Sequence, residues 1–471
     1  MRVLTIAIVF FLTPMLSFSQ SHSISINSTN GKTKMTVKQG NGNNFSLVME
    51  GDIELNDDDS DIADLSENGY FELKKSGFGS RRRILIEKEG GVLVRKYYVG
   101  SKEVAFDPEG RQWLAEVLLE VVRRTALGAE KRVERIFKKG GAQAVLKEAK
   151  LMESDHGKAI YLKKLLDKEL DQGELAQVLD VVDEVDSDHH RANLLSNYSS
   201  SFLASESNTS KFISSARQID SDHHKANILG EIVRSKQAGD GELRNLFEIS
   251  KDIDSDHHKA NLLSLMMEEY KMTSSEVDLI LDQVELIDSD HHKANILSQA
   301  LKIEDLPVPV QDRFIRSVSE IDSDHHKASI FEQLIDKEIT TKALQKLVAM
   351  VADEIDSDHH KSSLLIEVLK QKNMDDGLMD AILEATREVN SSHSQGNIFR
   401  RLAKKELSEK TMVKILGQVE AIDSDHSKTD VLIQLAPQVR KGSDRVRAAY
   451  MDAMKSISSN SSKGEALRAI E

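Results

Sequence analysis

Serine, aspartate and histidine recur side by side in this chain, in copies such as Ser187-Asp188-His189-His190 and Ser255-Asp256-His257-His258. Those residue types do three kinds of chemistry. A serine nucleophile with a histidine base and an aspartate is a hydrolase triad, but a triad needs convergent side chains, a pocket and an oxyanion hole. Neighbours in sequence on one helical turn point about 100° apart. Histidines in an exported chain suggest zinc, copper or nickel. The metal candidates are the first histidines of the copies, His189, His223, His257, His291, His325 and His359. Two helical histidines chelate one ion when four apart, and equivalent histidines on packed helices, about 8–10 Å apart, point in parallel directions. The spacing therefore argues against a convergent metal site. The third chemistry is helix capping. A serine before a helix accepts the unpaired N–H groups of the first turn, and an aspartate after it faces the positive end of the helix dipole. This reading makes Ser187, Ser221, Ser255, Ser289, Ser323 and Ser357 structural N-caps.

The elements follow from the interval. The cap serines are Ser154, Ser187, Ser221, Ser255, Ser289, Ser323, Ser357, Ser391, Ser424 and Ser459, at steps of about 34 residues. That period is one helix-turn-helix unit. The fold class predicted is mainly α: an α-solenoid of about ten 34-residue helix-turn-helix repeats, preceded by a small antiparallel β domain. Within one unit, Ser255 opens the first helix and Ala260, Leu263, Met266, Met267 and Tyr270 form its apolar stripe. Thr273-Ser274-Ser275-Glu276 is a capping box that opens the second helix, whose stripe is Val277, Ile280, Leu281, Val284 and Ile287. The outer copies depart from the motif, as end repeats facing solvent should. The first histidine is placed between units or against a neighbouring turn. The lysine or arginine after the histidines is placed at the solvated edge, pairing with an acidic residue of the adjacent loop.

Before the repeats, roughly residues 21–105 alternate polar and apolar in short runs, at Ser23–Asn27, Thr33–Lys38, Phe45–Met49, Tyr70–Leu73, Arg82–Glu87 and Val92–Val99. Six to eight antiparallel strands are expected, with turns at Asn41-Gly42, Asn68-Gly69 and Gly90-Gly91. Asn56–Asp61 resembles the start of a calcium loop but has Ile62 where glycine is needed and Asn68 where glutamate is needed, so it reads as an acidic solvated turn. Arg81-Arg82-Arg83 reads as a solvated strand face. Asp107-Pro108 should cap and start a helix with the stripe Trp113, Leu114, Val117, Leu118, Val121 and Val122. A second helix from Ala129 should end at Gly140-Gly141.

The chain has 471 residues, a net charge of −15 and no cysteine. That charge disfavours nucleic acid, and the missing cysteine removes disulfides and thiolate chemistry. Arg2, the apolar run Val3–Leu12 and Ser17-Phe18-Ser19 have the three parts of a secretory signal cleaved after Ser19. No later run reaches the roughly 20 apolar residues of a membrane span. The expected layout is a signal at 1–19, a β domain at 20–106, linking helices at 107–141 and the repeats at 142–471.

The period matches tetratricopeptide repeats, whose Trp, Gly-Tyr and Pro signature is missing. A closer likeness runs through Gly69-Tyr70-Phe71-Glu72, Arg81-Arg82-Arg83, Phe106-Asp107, Trp113-Leu114 and the Ser-Asp-x-x-Lys repeats. Together these resemble an exported region of Gram-negative bacteria that occurs alone or attached to membrane zinc peptidases of the beta-lactam-sensing type. Those regions commonly carry Tyr and Glu where this chain has its two histidines. The resemblance implies a sensory or scaffolding role at the cell envelope without catalysis, the peptidase motif being absent. The function expected is an exported scaffold in the periplasm or secreted, with no cofactor, binding a protein or peptide partner on the repeat surface. The alternative is a periplasmic His-rich protein binding Zn, Cu or Ni.

Overall fold

The computed structural model describes residues 22–29, 32–39, 44–77, 80–303, 306–337, 339–372 and 374–471. The expected signal segment and the Asn41-Gly42 turn lie outside the described residues. Contacts divide the chain into two compact units, Met1–Phe202 and Leu203–Glu471. The sequence pattern changes at 141/142 instead, because pattern follows the repeat unit whereas contacts follow packing. The Ser154 repeat packs on the helices before it.

In the first unit, nine strands are described: β1 His22–Thr29, β2 Lys32–Gln39, β3 Asn44–Glu50, β4 Ile53–Leu55, β5 Ile62–Leu65, β6 Tyr70–Gly77, β7 Ser80–Glu89, β8 Val92–Val99 and β9 Lys102–Val104. Seven form one antiparallel sheet, in the order β1-β2-β3-β6-β7-β8-β9, and β4 pairs with β5. The six runs expected from alternation are all strands. Three short strands were missed: β4, β5 and β9, each too brief for a period of two to show. Register places Leu47, Leu73, Ile84 and Tyr97 in one row across the sheet, and all four are buried.

Helix α1, Arg111–Thr125, lays its stripe on that row. Trp113 is buried, its ring centroid 5.9 Å from that of Tyr97, so the single tryptophan is a core anchor. Asp107 turns its carboxylate to a side chain of this helix, Arg111, where capping of a first-turn N–H was expected. Its backbone is extended (φ −95°, ψ 137°), and its carboxylate accepts from Arg111 Nε at 2.6 Å. Helix α2, Ala129–Lys150, is interrupted at Gly140 and Gly141, where Gly141 takes φ +64°. That left-handed conformation favours glycine.

The acidic turn between β4 and β5 is not simply solvated. Asp59 pairs with Arg132 Nε at 2.7 Å and with Arg135, and Asp61 with Arg111 at 2.6 Å. Arg132 also donates to the Tyr161 hydroxyl at 2.6 Å. Burial pushes that hydroxyl up to about 12, against the opposing pull of Arg132. The turn thus ties the β4–β5 hairpin to α1 and α2. The three arginines are not a uniform solvated face either. Arg81 is exposed, whereas Arg83 is half-buried and lies 3.8 Å from the Tyr98 ring centroid.

The second unit is a two-layer stack of helix pairs. Its first helices include Asp222–Ser235, Asp256–Glu269, Asp290–Ala300 and Asp324–Ile335. Its second helices include Asp240–Ser250, Ser274–Val284, Val308–Ser319 and Thr341–Glu354. First helices pack on first helices and second on second. In the Ser255 repeat the capping box of Thr273 and Glu276 is present. Val277, Ile280, Leu281, Val284 and Ile287 are all buried, as are Ala260, Leu263 and Met266. Leu262 is buried as well, because each first helix is covered on two sides by neighbours. The Ser459 helix, Asn460–Ile470, packs on the first helix of the repeat before it, Asp425–Val439. Among the described residues the fold is an antiparallel β head followed in sequence by a helical-repeat array.

Candidate functional site

The motif lies along one edge of each repeat, where the first helix begins. Every cap serine has extended backbone at the N-cap position; Ser255, for example, has φ −69° and ψ 112°. Side-chain capping is weak. The hydroxyls of Ser187, Ser255, Ser323 and Ser357 accept from the N–H three residues on at 3.4–3.5 Å, at the far limit for a hydrogen bond. Ser221 and Ser289 hold the same backbone geometry, and the Ser289 hydroxyl makes no cap bond.

The aspartate makes the shorter bond, to the next repeat. Asp222 accepts from the Ser255 N–H at 2.7 Å, and Asp256 from Ser289, Asp290 from Ser323, Asp324 from Ser357 and Asp358 from Ser391, all at 2.8 Å. In the first unit Asp155 holds Ser187 in the same way, at 2.8 Å. Each carboxylate staples one repeat to the following cap. At the far end, the Ser458 and Ser459 N–H groups hold the Asp425 carboxyl below the usual range.

The lysine is not at the solvated edge. Lys225, Lys259, Lys293, Lys327, Lys361 and Lys428 are all buried. Each donates to a carbonyl at or just past the end of the second helix of its own repeat: Lys259 to Leu286 at 3.4 Å, Lys293 to Glu320 at 3.3 Å and Lys361 to Glu388 at 3.2 Å. A cation at the negative end of a helix dipole is favourable, and the aliphatic stem covers apolar neighbours. Burial draws Lys259 below the usual range, opposed by Asp256, Asp254, Asp222 and Asp288.

Serine, aspartate and histidine thus have separate partners. Ser255 faces its own helix and Asp256 the next cap, while His257 Nε2 lies 3.1 Å from Asn261 Nδ2. They do not form a nucleophile, base and acid relay.

The histidines are arranged in a way that spacing did not suggest. The first histidine of each copy is exposed and the second half-buried. Equivalent histidines do not meet. Instead, the first imidazole of one repeat meets the second imidazole of the next: His223 and His258 at 5.4 Å between ring centroids, His257 and His292 at 5.8 Å, His291 and His326 at 5.9 Å, His325 and His360 at 6.1 Å. Within a repeat the two rings are 5.4–5.6 Å apart. The result in the second unit is an unbroken zigzag of ten imidazoles, His223 to His360. The first unit has a row of three, with His156 5.5 Å from His190 and His190 5.5 Å from His189. Burial, then the neighbouring His156 and His189, hold His190 below the usual range.

Of the metal candidates, His189, His223, His257 and His291 each place Nε2 at 3.0–3.1 Å from an asparagine four residues on. His325 lines a groove, and His359 touches only the ring of His360 in its row. The second histidines were not among the candidates. A usable signal was present: each of the six follows a repeat that has a first histidine. Among the described residues, no three His, Cys, Asp or Glu side chains gather round one point.

Grooves open between adjacent first helices beside this row. One of about 160 Å³ is lined by His325, His360, Glu332 and Glu367. Another of about 390 Å³ lies beside His156, His189 and His190. Between helix ends and the loops that follow them, a cavity of about 760 Å³ is lined by Met267, Tyr270, Met272, Gln299, Ile303 and Pro307. Among the described residues, no helix is long and apolar enough to cross a membrane.

No protein-family model matches the chain, and no curated protein does. Among solved structures it is similar to one titled "Circular tandem repeat protein with novel repeat topology and enhanced subunit contact surfaces". The likeness is 15% identity, covering 77% of this chain and 81% of that one, with a TM-score of 0.16. A score that low is not a shared overall fold, and nothing is carried over from it.

Proposed function

We propose that this chain is an exported, non-catalytic scaffold or sensor-type protein that binds a protein or peptide partner on its helical-repeat surface. One observation carries the reading. The reactive-looking groups of the motif are spent on joining helices, through the Asp256–Ser289 and Lys259–Leu286 bonds and their equivalents, and the stack is left with grooves between units. The cavity of about 760 Å³ offers Met267, Met272 and Ile303 beside Tyr270 and Gln299. Methionine adapts its shape to varied apolar partners, and a few polar groups among apolar ones fix orientation. Export rests on Arg2, Val3–Leu12 and Ser17-Phe18-Ser19. The resemblance to the exported region beside beta-lactam-sensing peptidases supports work at the envelope.

The test is capture from envelope extract by the intact chain, beside a chain carrying M267E and I303E. A partner recovered in stoichiometric amount by the first and lost by the second is expected. Equal recovery by both would remove the groove from the reading. Amino-terminal sequencing of exported material should begin at Gln20.

A further inference from the structure

We propose that the histidine row binds divalent transition-metal ions at the junctions between repeats. Each ion is held by the first imidazole of one repeat and the second imidazole of the next. The inference is independent of any protein partner.

The distances fit. An imidazole nitrogen binds zinc or copper at about 2.0–2.1 Å, so two rings sharing a tetrahedral ion have centres roughly 5.2 Å apart. Five junction pairs whose ring separations are described, 156/190, 223/258, 257/292, 291/326 and 325/360, lie at 5.4–6.1 Å. The rings are tilted rather than stacked, and the first of each pair is exposed, so small side-chain rotations close the remaining gap.

Space is present too. His325 and His360 border the groove of about 160 Å³, whose wall also carries Glu332 and Glu367. That volume takes an ion with several waters, and the two carboxylates favour a cation there. Asn193, Asn227, Asn261 and Asn295 lie against Nε2 of the first histidines. With the carboxamide turned over, its oxygen accepts the Nε2 proton and leaves the Nδ1 lone pair for a metal. Such a partner orients ligating histidines generally.

Among the described residues no third His, Cys, Asp or Glu side chain converges on these pairs, so water completes each coordination sphere. The sites are exchangeable surface sites for ions that favour imidazole, such as Cu(II), Ni(II) and Zn(II). The row is also separable from the stack. Ser394 and Ser427 replace the second histidine in the last two copies that keep the first, yet their first helices pack as the others do.

The probe is Cu(II), titrated into the metal-free full chain by equilibrium dialysis, with electron paramagnetic resonance to count bound nitrogens. At least five equivalents, each with two nitrogen ligands, are expected. The variant H258Q/H292Q/H326Q/H360Q should lose about four of them while its helical circular dichroism stays unchanged. The single variant H326Q should lose one, which keeps the test usable if the fourfold variant does not fold. Copper uptake by the variants equal to that of the parent, or single-nitrogen signals throughout, would overturn the proposal. Neither result bears on whether the 760 Å³ groove takes a protein.

Discussion

The repeats opened by Ser255 and by Ser391 have the same architecture and different motifs. In the first, Asp256, His258 and Lys259 follow the cap; in the second, Ser392, Ser394 and Gln395 stand in their places. Ser391 still caps its helix, accepting from Ser394 N–H at 3.3 Å, and Gln395 donates to the Val389 carbonyl at 2.7 Å. Ile398, Phe399 and Leu402 are buried just as Leu262, Leu263 and Met266 are. The cap backbone and the apolar stripe thus suffice to build a unit. The aspartate staple and buried lysine add to it, and the histidine pair adds nothing the neighbouring helix needs. Residues present in most copies yet dispensable to packing are where a function beyond packing is to be sought.

This comparison can be broken at each level. The largest effect belongs to the stripe. Phe331→Ala and Phe399→Ala, both at fully buried rings, should each cost about 3–5 kcal/mol in urea unfolding; a much smaller loss at Phe399 would mean the second kind of repeat is loosely packed. Next is the buried lysine. Lys259→Met should cost about 1.5–3 kcal/mol, the range for a hydrogen bond to a charged donor, whereas Gln395→Met should cost about 1 kcal/mol. The staple comes third. Asp290→Ala leaves the Ser323 N–H without its carboxylate and should cost about 1–2 kcal/mol, while Ser392→Asp supplies the missing staple to Ser424 and should raise stability by about 1 kcal/mol.

Asp425 sharpens the acid side. Its folded pKa is depressed by the Ser458 and Ser459 N–H groups, so its contribution is present above the ordinary carboxylate value and fades as pH falls through the folded one. The helix Asn460–Ile470 should therefore lose amide-exchange protection as acid protonates Asp425, below about pH 4. Asp425→Ala should remove that acid-dependent step. The smallest effect is at the histidines, where single changes to glutamine should stay within about 0.5 kcal/mol.

Much of this was legible in the sequence. The 34-residue interval and the capping box at Thr273 define the helix pairs, and the buried stripes are nearly complete. Alternation found the six longer strands. What escaped was set by partners far away in the chain. Asp59 reads as solvated until Arg132 and Arg135, more than seventy residues on, are seen to meet it. Lys259 reads as surface because its stem passes between helices to the Leu286 carbonyl. The histidine row depends on an offset of one repeat plus one residue, visible only when unlike positions of neighbouring copies are compared.

The most direct test sets two fourfold variants side by side in urea: H258Q/H292Q/H326Q/H360Q and D222A/D256A/D290A/D324A. If the aspartates staple the repeats and the histidines form a separable row, the histidine variant unfolds close to the parent midpoint and the aspartate variant well below it. A histidine variant that unfolds as early as the aspartate one would contradict this division of labour.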